Sequence, residues 1–196
     1  MRTRLRSARG QSLLEFAIVA PLLLLLALGV IEIGYALLDQ HVVTKLTREG
    51  SNLISRDSTI QQAVTALTSM STAPVNFATR SKVIFSVIRN GATVGTANFG
   101  RDIVYQRHEH GNLADASSRI RTQGTGSYRG APDYEAVNPD TTTALRVIAA
   151  SLPDGLTLGP GDMVYVTEVY TQHTLLTPVS SFGLVVPERL YSIAYF

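Results

Sequence analysis

Glu15 stands five residues after Gly10, at the mouth of an apolar run, behind Arg2, Arg4, Arg6 and Arg9 with no acid between. A carboxylate entering a membrane segment is costly and marks a partner or a functional site. Cleavage after Gly10 would give Gln11 a positive α-amine four residues upstream of Glu15. That amine and a neighbouring chain's carboxylate could then neutralise each other inside a bundle of helices. Glu32, near the far end of the run, poses the same question. It is either close enough to the outer face to reach headgroups or a contact for helix packing.

The other candidate chemistry is sparse. In His108-Glu109-His110, positions 108 and 110 share a face if the segment is a strand, so two imidazoles could act together. A zinc site needs further ligands, and there is neither an HExxH motif nor a cysteine to supply them. His41 and His173 stand alone, and a polar strand end is the preferred reading of the triplet. Gly124-Thr125-Gly126-Ser127 lacks the lysine and hydroxyl residue that close a phosphate loop. No serine sits in Gly-x-Ser-x-Gly. Asp133, Glu135 and Asp140 read as solvated charges before weak calcium ligands. Tyr165, Tyr170, Tyr191, Tyr195 and Phe196 read as packing before an interaction surface. The residues call for no cofactor and no metal, and an exported hydrolase has almost no support among them.

Composition narrows the setting. Four of the 17 basic side chains fall in the first nine residues, and the other 13 face 15 acids. The basic pI near 9.0 therefore comes from the leader and does not imply a nucleic-acid partner. The absence of cysteine excludes disulfides and leaves the compartment open.

The positioning element is the apolar run. Residues 16–38 form about 35 Å of helix, enough for a hydrocarbon core of about 30 Å. Arginines before it place the N-terminus in the cytoplasm. Pro21 falls near its start, where local backbone adjustment relieves part of its cost. Two alternatives share these residues: an uncleaved anchor, and a signal peptide cut at Gly34-Tyr35-Ala36. The helix continues beyond the membrane with Val42, Leu46, Glu49/Gly50 and Leu53 as a stripe. Arg56-Asp57-Ser58 breaks it, and Ser58 with Gln61 fits a capping box for a second helix, with Ile60, Ala63/Val64, Leu67 and Met70 on one face and Ser71 to Pro74 closing it.

Beyond Lys82 the period becomes two. Val83, Phe85 and Val87 alternate with Ile84, Ser86 and Ile88, and Asn90-Gly91 signals a hairpin with a return strand over residues 94–99. Residues 103–107, 163–172 and 190–196 are further strands. The Ser/Gly/Thr/Asn-rich stretch 114–139 reads as a mobile surface excursion, and 141–150 reads as a short helix or a strand, with Leu145, Ile148 and Ala149 leaning helical. The predicted fold class is α+β: a long N-terminal transmembrane helix, a short second helix and a small antiparallel β-sheet domain. Its divisions are a leader at 1–10, a membrane and extended helix at 11–55, a second helix and linker at 56–73, and an extracytoplasmic β-rich domain at 74–196. The outer helix and the second helix are the natural cover for the sheet.

Gly10-Gln11-Ser12-Leu13-Leu14-Glu15-Phe16-Ala17 resembles the processing site of type IV pilin-like proteins. The continuation Ile18-Val19-Ala20-Pro21-Leu22-Leu23-Leu24, then Gly29-Val30-Ile31-Glu32-Ile33-Gly34-Tyr35-Ala36, resembles the TadE-like pseudopilins of the tight-adherence (Tad, or Flp) pilus. Thr47-Arg48-Glu49-Gly50-Ser51 is similar to the Arg-Glu-Gly segment of that family. A fainter likeness lies in residues 164–178 and 191–196. The resemblance implies a minor pilin or pseudopilin cut after Gly10 by a prepilin peptidase, with Glu15 serving processing or assembly. Glu15, Phe16, Pro21 and Glu32 would be helix-packing positions. Its partners would be the peptidase, other pilin or pseudopilin subunits, the inner-membrane assembly platform and membrane lipid, with no nucleic acid. Gln11 as the first mature residue and a long C-terminal region depart from the commoner pattern. A single-pass anchored extracytoplasmic binding domain is the alternative.

Overall fold

The computed structural model describes residues 4–177 and 187–196, with the side chains of residues 4–9 outside the description. The leader's Arg2, and the arginine side chains at positions 4, 6 and 9, therefore lie outside the described residues, as does Pro178.

Helix α1 spans Arg4–Ser55 without interruption and contains Pro21. Its leucine-rich sequence has high helix propensity, and it stops where Asp57 takes a left-handed conformation at φ 60. Helix α2 spans Ile60–Met70 and opens with a capping box made by Thr59 and Gln62. That is one residue later than the Ser58/Gln61 box expected from sequence. The reason is tertiary: the Gln61 side chain accepts the Tyr134 hydroxyl at 2.6 Å, and its backbone N–H donates to Pro132 at 3.0 Å. Ile60, Ala63, Val64 and Leu67 are buried as the periodicity predicts, whereas Met70 is exposed.

Four strands follow: β1 (Ser81–Asn90), β2 (Asp102–His110), β3 (Met163–Gln172) and β4 (Arg189–Tyr195). They form one antiparallel sheet in the order β2-β1-β3-β4. The α+β expectation holds. The chain divides into two compact units. One holds the described residues through Leu38 and those between His173 and Glu188; the other holds Asp39–Gln172 and Arg189–Phe196.

In the second unit the sheet is covered on both faces. Val83, Phe85 and Val169 pack against Val43, Leu46 and Ile54 of α1 and against the apolar side of α2. Ile88, Val104, Val164 and Val166 pack on the opposite side with Ile120, Tyr128 and Leu152. The cover on this second side is the stretch expected to be a mobile surface excursion. It is irregular, yet it buries Ala116, Ile120 and Ala136 and makes bridges such as Gln106 with Glu135 and Thr122 with Val147. Its apolar residues are too widely spaced to show a period, which is why sequence read it as surface. Residues 141–150 hold a 3₁₀ turn at Thr143–Leu145, isolated bridges at Arg146 and Val147, and the start of a second 3₁₀ turn, Ala149–Ser151.

Asn90-Gly91 also departs from expectation. The expected return strand at 94–99 is replaced by turns, and β1 pairs with β2 beginning at Asp102. The Asn90 backbone exchanges hydrogen bonds with Gly161 and Asp162, each at 3.0 Å, and its side chain donates to Asp102 at 2.8 Å. A Cβ on Gly91 would lie 1.9 Å from the Asn98 carbonyl oxygen. The glycine thus serves close backbone approach instead of a two-residue turn.

The buried stripe on the outer part of α1 is Val43, Leu46, Thr47, Gly50, Ser51 and Ile54, one residue out of phase with the predicted Val42 and Leu53 edges. Small and hydroxyl residues let the sheet come close. Ser51 donates to the Ala194 carbonyl at 3.0 Å, and a Cβ on Gly50 would lie 2.7 Å from Thr167 Cγ2 and 3.2 Å from the Phe85 ring. Gly50→Val is expected to lower stability by about 1–3 kcal/mol through overpacking, read by chemical denaturation of the detergent-solubilised chain. The Thr167 hydroxyl in the same contact is buried and has no hydrogen-bond partner among the described residues. Thr167→Val, which keeps the shape and removes the stranded oxygen, should raise stability by about 1 kcal/mol.

Candidate functional site

The first unit is dominated by bare apolar helix. Leu13, Phe16, Ile18, Leu22 and Leu24 are each more than 60 % exposed. The helical stretch Gly10–Ser55 contains a segment long and apolar enough to cross a membrane, almost none of it buried. Such a surface is stable only against lipid or other helices.

At its start, Gly10 is helical and open on all sides. Gln11 and Glu15 meet: the Gln11 amide donates to Glu15 Oε1 at 3.1 Å, on the exposed surface one helical turn apart. Phe16 is exposed and Pro21 lies inside the helix. Glu32 is separate from this group, 17 residues or about 26 Å of rise beyond Glu15.

Glu32 is fully buried. Its carboxylate is enclosed by residues 173–177, after β3. The Leu176 N–H donates at 3.2 Å to both oxygens. The Thr177 N–H and hydroxyl donate to Oε2 at 2.8 and 2.6 Å, and His173 Nε2 lies 3.3 Å from Oε1. Donors of this kind are what a buried carboxylate needs in order to stay ionised. Neither sequence reading of Glu32, at the headgroups or as a helix-packing contact, included these partners. The available signal was the uncharged stretch from Leu175 to Pro187 beside His173.

The sheet unit holds a second buried carboxylate. Glu168 occupies an inward position of β3 and is fully buried. It accepts the Ser118 hydroxyl, the Arg119 N–H at 2.8 Å and the Tyr191 hydroxyl at 3.0 Å. Tyr170 donates to the Ser117 carbonyl at 2.8 Å, and the Arg119 guanidinium lies 3.8 Å above the Tyr191 ring. Arg119, Arg121, Ser151, Tyr170, Tyr191 and Tyr195 line an adjacent cavity of about 590 Å³. With its oxygens taken by donors, Glu168 fastens the 117–120 segment to the sheet and offers no free base. The signal for it was an acid on the same side of a strand as Val164, Val166 and Tyr170.

The rings of His108 and His110 stay 6.5 Å apart on β2, but each packs on an aromatic neighbour. His108 stacks on Tyr134 with ring centroids 3.8 Å apart, while His110 tilts against Phe77. Burial and the neighbouring His110 push the His108 imidazole below its ordinary range. Among the described residues no group of three or more His, Cys, Asp or Glu side chains is placed to hold a metal. Glu135 accepts the Tyr105 hydroxyl at 2.9 Å, and Asp140 pairs with Arg89 at 3.3 Å.

The exposed apolar helix with an acid at its mouth can be set beside known proteins. Residues 10–52 match the family described as TadE-like protein. This segment is similar to that family. The match covers all of the exposed apolar run and ends inside the stripe that meets the sheet, with Gly50 near its limit. The TadE-like pilin family is structural and not enzymatic. No curated protein and no solved structure matches the chain. The likeness is thus carried by α1, and the four strands lie beyond it.

The tyrosines around Glu168 give a pH test. Burial and the nearby carboxylate raise Tyr170 to about 12 and raise Tyr191 further. A folded-state value above the ordinary 10.0 means that the stability held by these protons is full below pH 10 and is lost as pH rises. Denaturation midpoints should therefore begin to fall above about pH 10 and keep falling through about pH 12. The fall should be shallower in Tyr170→Phe/Tyr191→Phe.

Proposed function

We propose that the chain is a minor pilin or pseudopilin of a Tad-type pilus. It sits in the bacterial inner membrane through α1, with its N-terminus cytoplasmic. A prepilin peptidase cuts it after Gly10, and it then takes part in pilus biogenesis, adhesion or surface attachment. The observation that carries this reading is the coincidence of the TadE-like match at 10–52 with a helix whose outer surface is bare leucine, valine, isoleucine and phenylalanine. Those side chains suit lipid before assembly and neighbouring helices after it. The basic residues before Gly10 support the orientation.

Glu15 supports the same reading from chemistry. In the uncut chain it accepts a hydrogen bond from the neutral Gln11 amide. Release of an α-amine at Gln11 puts a cation at that end of the helix, which another subunit's Glu15 can neutralise. The partners are accordingly the peptidase, other pilin or pseudopilin subunits and the assembly platform.

The deciding measurement is the N-terminal mass of the membrane-extracted protein with and without the prepilin peptidase. A start at Gln11 that depends on the peptidase is expected. An intact Met1, or a start at Leu37, overturns the proposal and favours a single-pass anchored binding domain or a cleaved signal. Glu15→Ala should reduce processing or pilus incorporation about tenfold, the effect of losing a charge-assisted contact of roughly 1.5 kcal/mol. Wild-type levels of both would remove the amine–carboxylate argument.

A further inference from the structure

Glu32 lies in the apolar part of α1, yet it is fully buried. What buries it is neither helix nor strand. Residues 173–177 leave β3 in irregular conformation: the His173 N–H reaches the Glu188 carbonyl at 2.8 Å, whereas the Leu176 and Thr177 N–H groups turn to Glu32. Irregular backbone at membrane depth is tolerated only where protein atoms satisfy its polar groups. Glu32 does this for two consecutive N–H groups, those of Leu176 and Thr177, and for the Thr177 hydroxyl and His173 Nε2 as well. The carboxylate and the strap each remove the other's polarity.

The surface that results turns Leu176 outward, beside the exposed Thr174. Leu176, whose N–H is fixed on Glu32, has its side chain 60 % exposed, comparable to Ile33 and Val30 of α1. In sequence, residues 175–187 contain no charged side chain. Depth agrees: Glu32 lies 16 residues beyond Phe16, a rise of about 24 Å that puts it in the outer part of a hydrocarbon core of about 30 Å.

We propose that residues 173–177 are a second lipid-contacting element, a strap held to α1 by Glu32 at the outer boundary of the hydrocarbon core, with Leu176 against acyl chains. The occupant of this surface is bilayer lipid, because the surface is continuous with the exposed apolar side of α1. The inference rests on the reading of α1 as a membrane anchor.

The chain has no tryptophan, so single tryptophans report cleanly. The full-length chain is reconstituted in phosphatidylcholine vesicles as Leu176→Trp, with Leu24→Trp as a reference within the span and Val94→Trp as an aqueous reference. Each is quenched with acyl-chain-brominated lipid and, separately, with acrylamide. Leu176→Trp should be quenched by brominated lipid at least half as strongly as Leu24→Trp, and should be shielded from acrylamide relative to Val94→Trp. Adding Glu32→Ala should raise its acrylamide quenching about twofold by releasing the strap, with Leu24→Trp unchanged.

Acrylamide quenching of Leu176→Trp equal to that of Val94→Trp, with Leu24→Trp still quenched by lipid, overturns the strap and leaves the anchor standing. An unchanged Leu176→Trp signal in Glu32→Ala overturns the role of Glu32. Lipid quenching of Leu176→Trp that disappears at high protein-to-lipid ratio assigns the surface to a second copy and overturns the lipid assignment. Failure of lipid to quench Leu24→Trp overturns the anchor reading, and the strap with it.

Discussion

Strand β1 is apolar on both faces, so the sheet exists only if both sides are covered, and the arrangement of the sheet unit follows from that constraint. The outer part of α1 and α2 cover the side carrying Val83 and Phe85. The irregular chain between β2 and β3 covers much of the side carrying Ile84 and Ile88. Without a cysteine in the sequence, no cross-link can replace either layer. The close approach at Gly50 and the hydrogen bonds to Glu168 are the two local solutions that let these covers sit down.

Three glutamates show how one side chain is put to different uses by its surroundings. Glu15 is exposed and held by a neutral amide one turn away. On the proposed reading, it is open to the α-amine that cleavage after Gly10 would release. Glu32 and Glu168 are both fully buried, and each is closed by a backbone N–H and a hydroxyl from a non-regular segment. A buried carboxylate accepts several donors at once, whereas a backbone carbonyl offers one oxygen. That capacity suits it to fastening irregular chain in place.

Much of the architecture was legible because its signals are periodic. The apolar run of α1, the capped stripe of α2 and the alternating residues of β1 and β3 each repeat at a spacing set by backbone geometry. What failed was local reading of segments whose conformation is set by distant partners. Asn90-Gly91 has the composition of a tight turn, but Asp102, Asn98 and Asp162 decide its shape. The capping box moved by one residue because Tyr134, 73 positions away, takes Gln61. The cover built from Leu113, Ile120 and Leu145 left no period to detect. At the candidate site, the pairing of Gln11 with Glu15 follows from spacing of four along a helix. The enclosure of Glu32 does not, since its donors are about 141–145 residues away.

The continuity of α1 through Gly10 and Gln11 bears on time as well as on shape. The peptide bond between them is offered as helix, with its hydrogen-bonded turns closed. An enzyme that engages extended backbone must wait for that end to fray. Glycine opens a helix more readily than alanine by roughly 1 kcal/mol, which raises the frayed fraction about fivefold at equilibrium. On the proposed cleavage after Gly10, the glycine would act as a clock on the helix end: it would set how often the bond becomes available, independently of how well the peptidase recognises it.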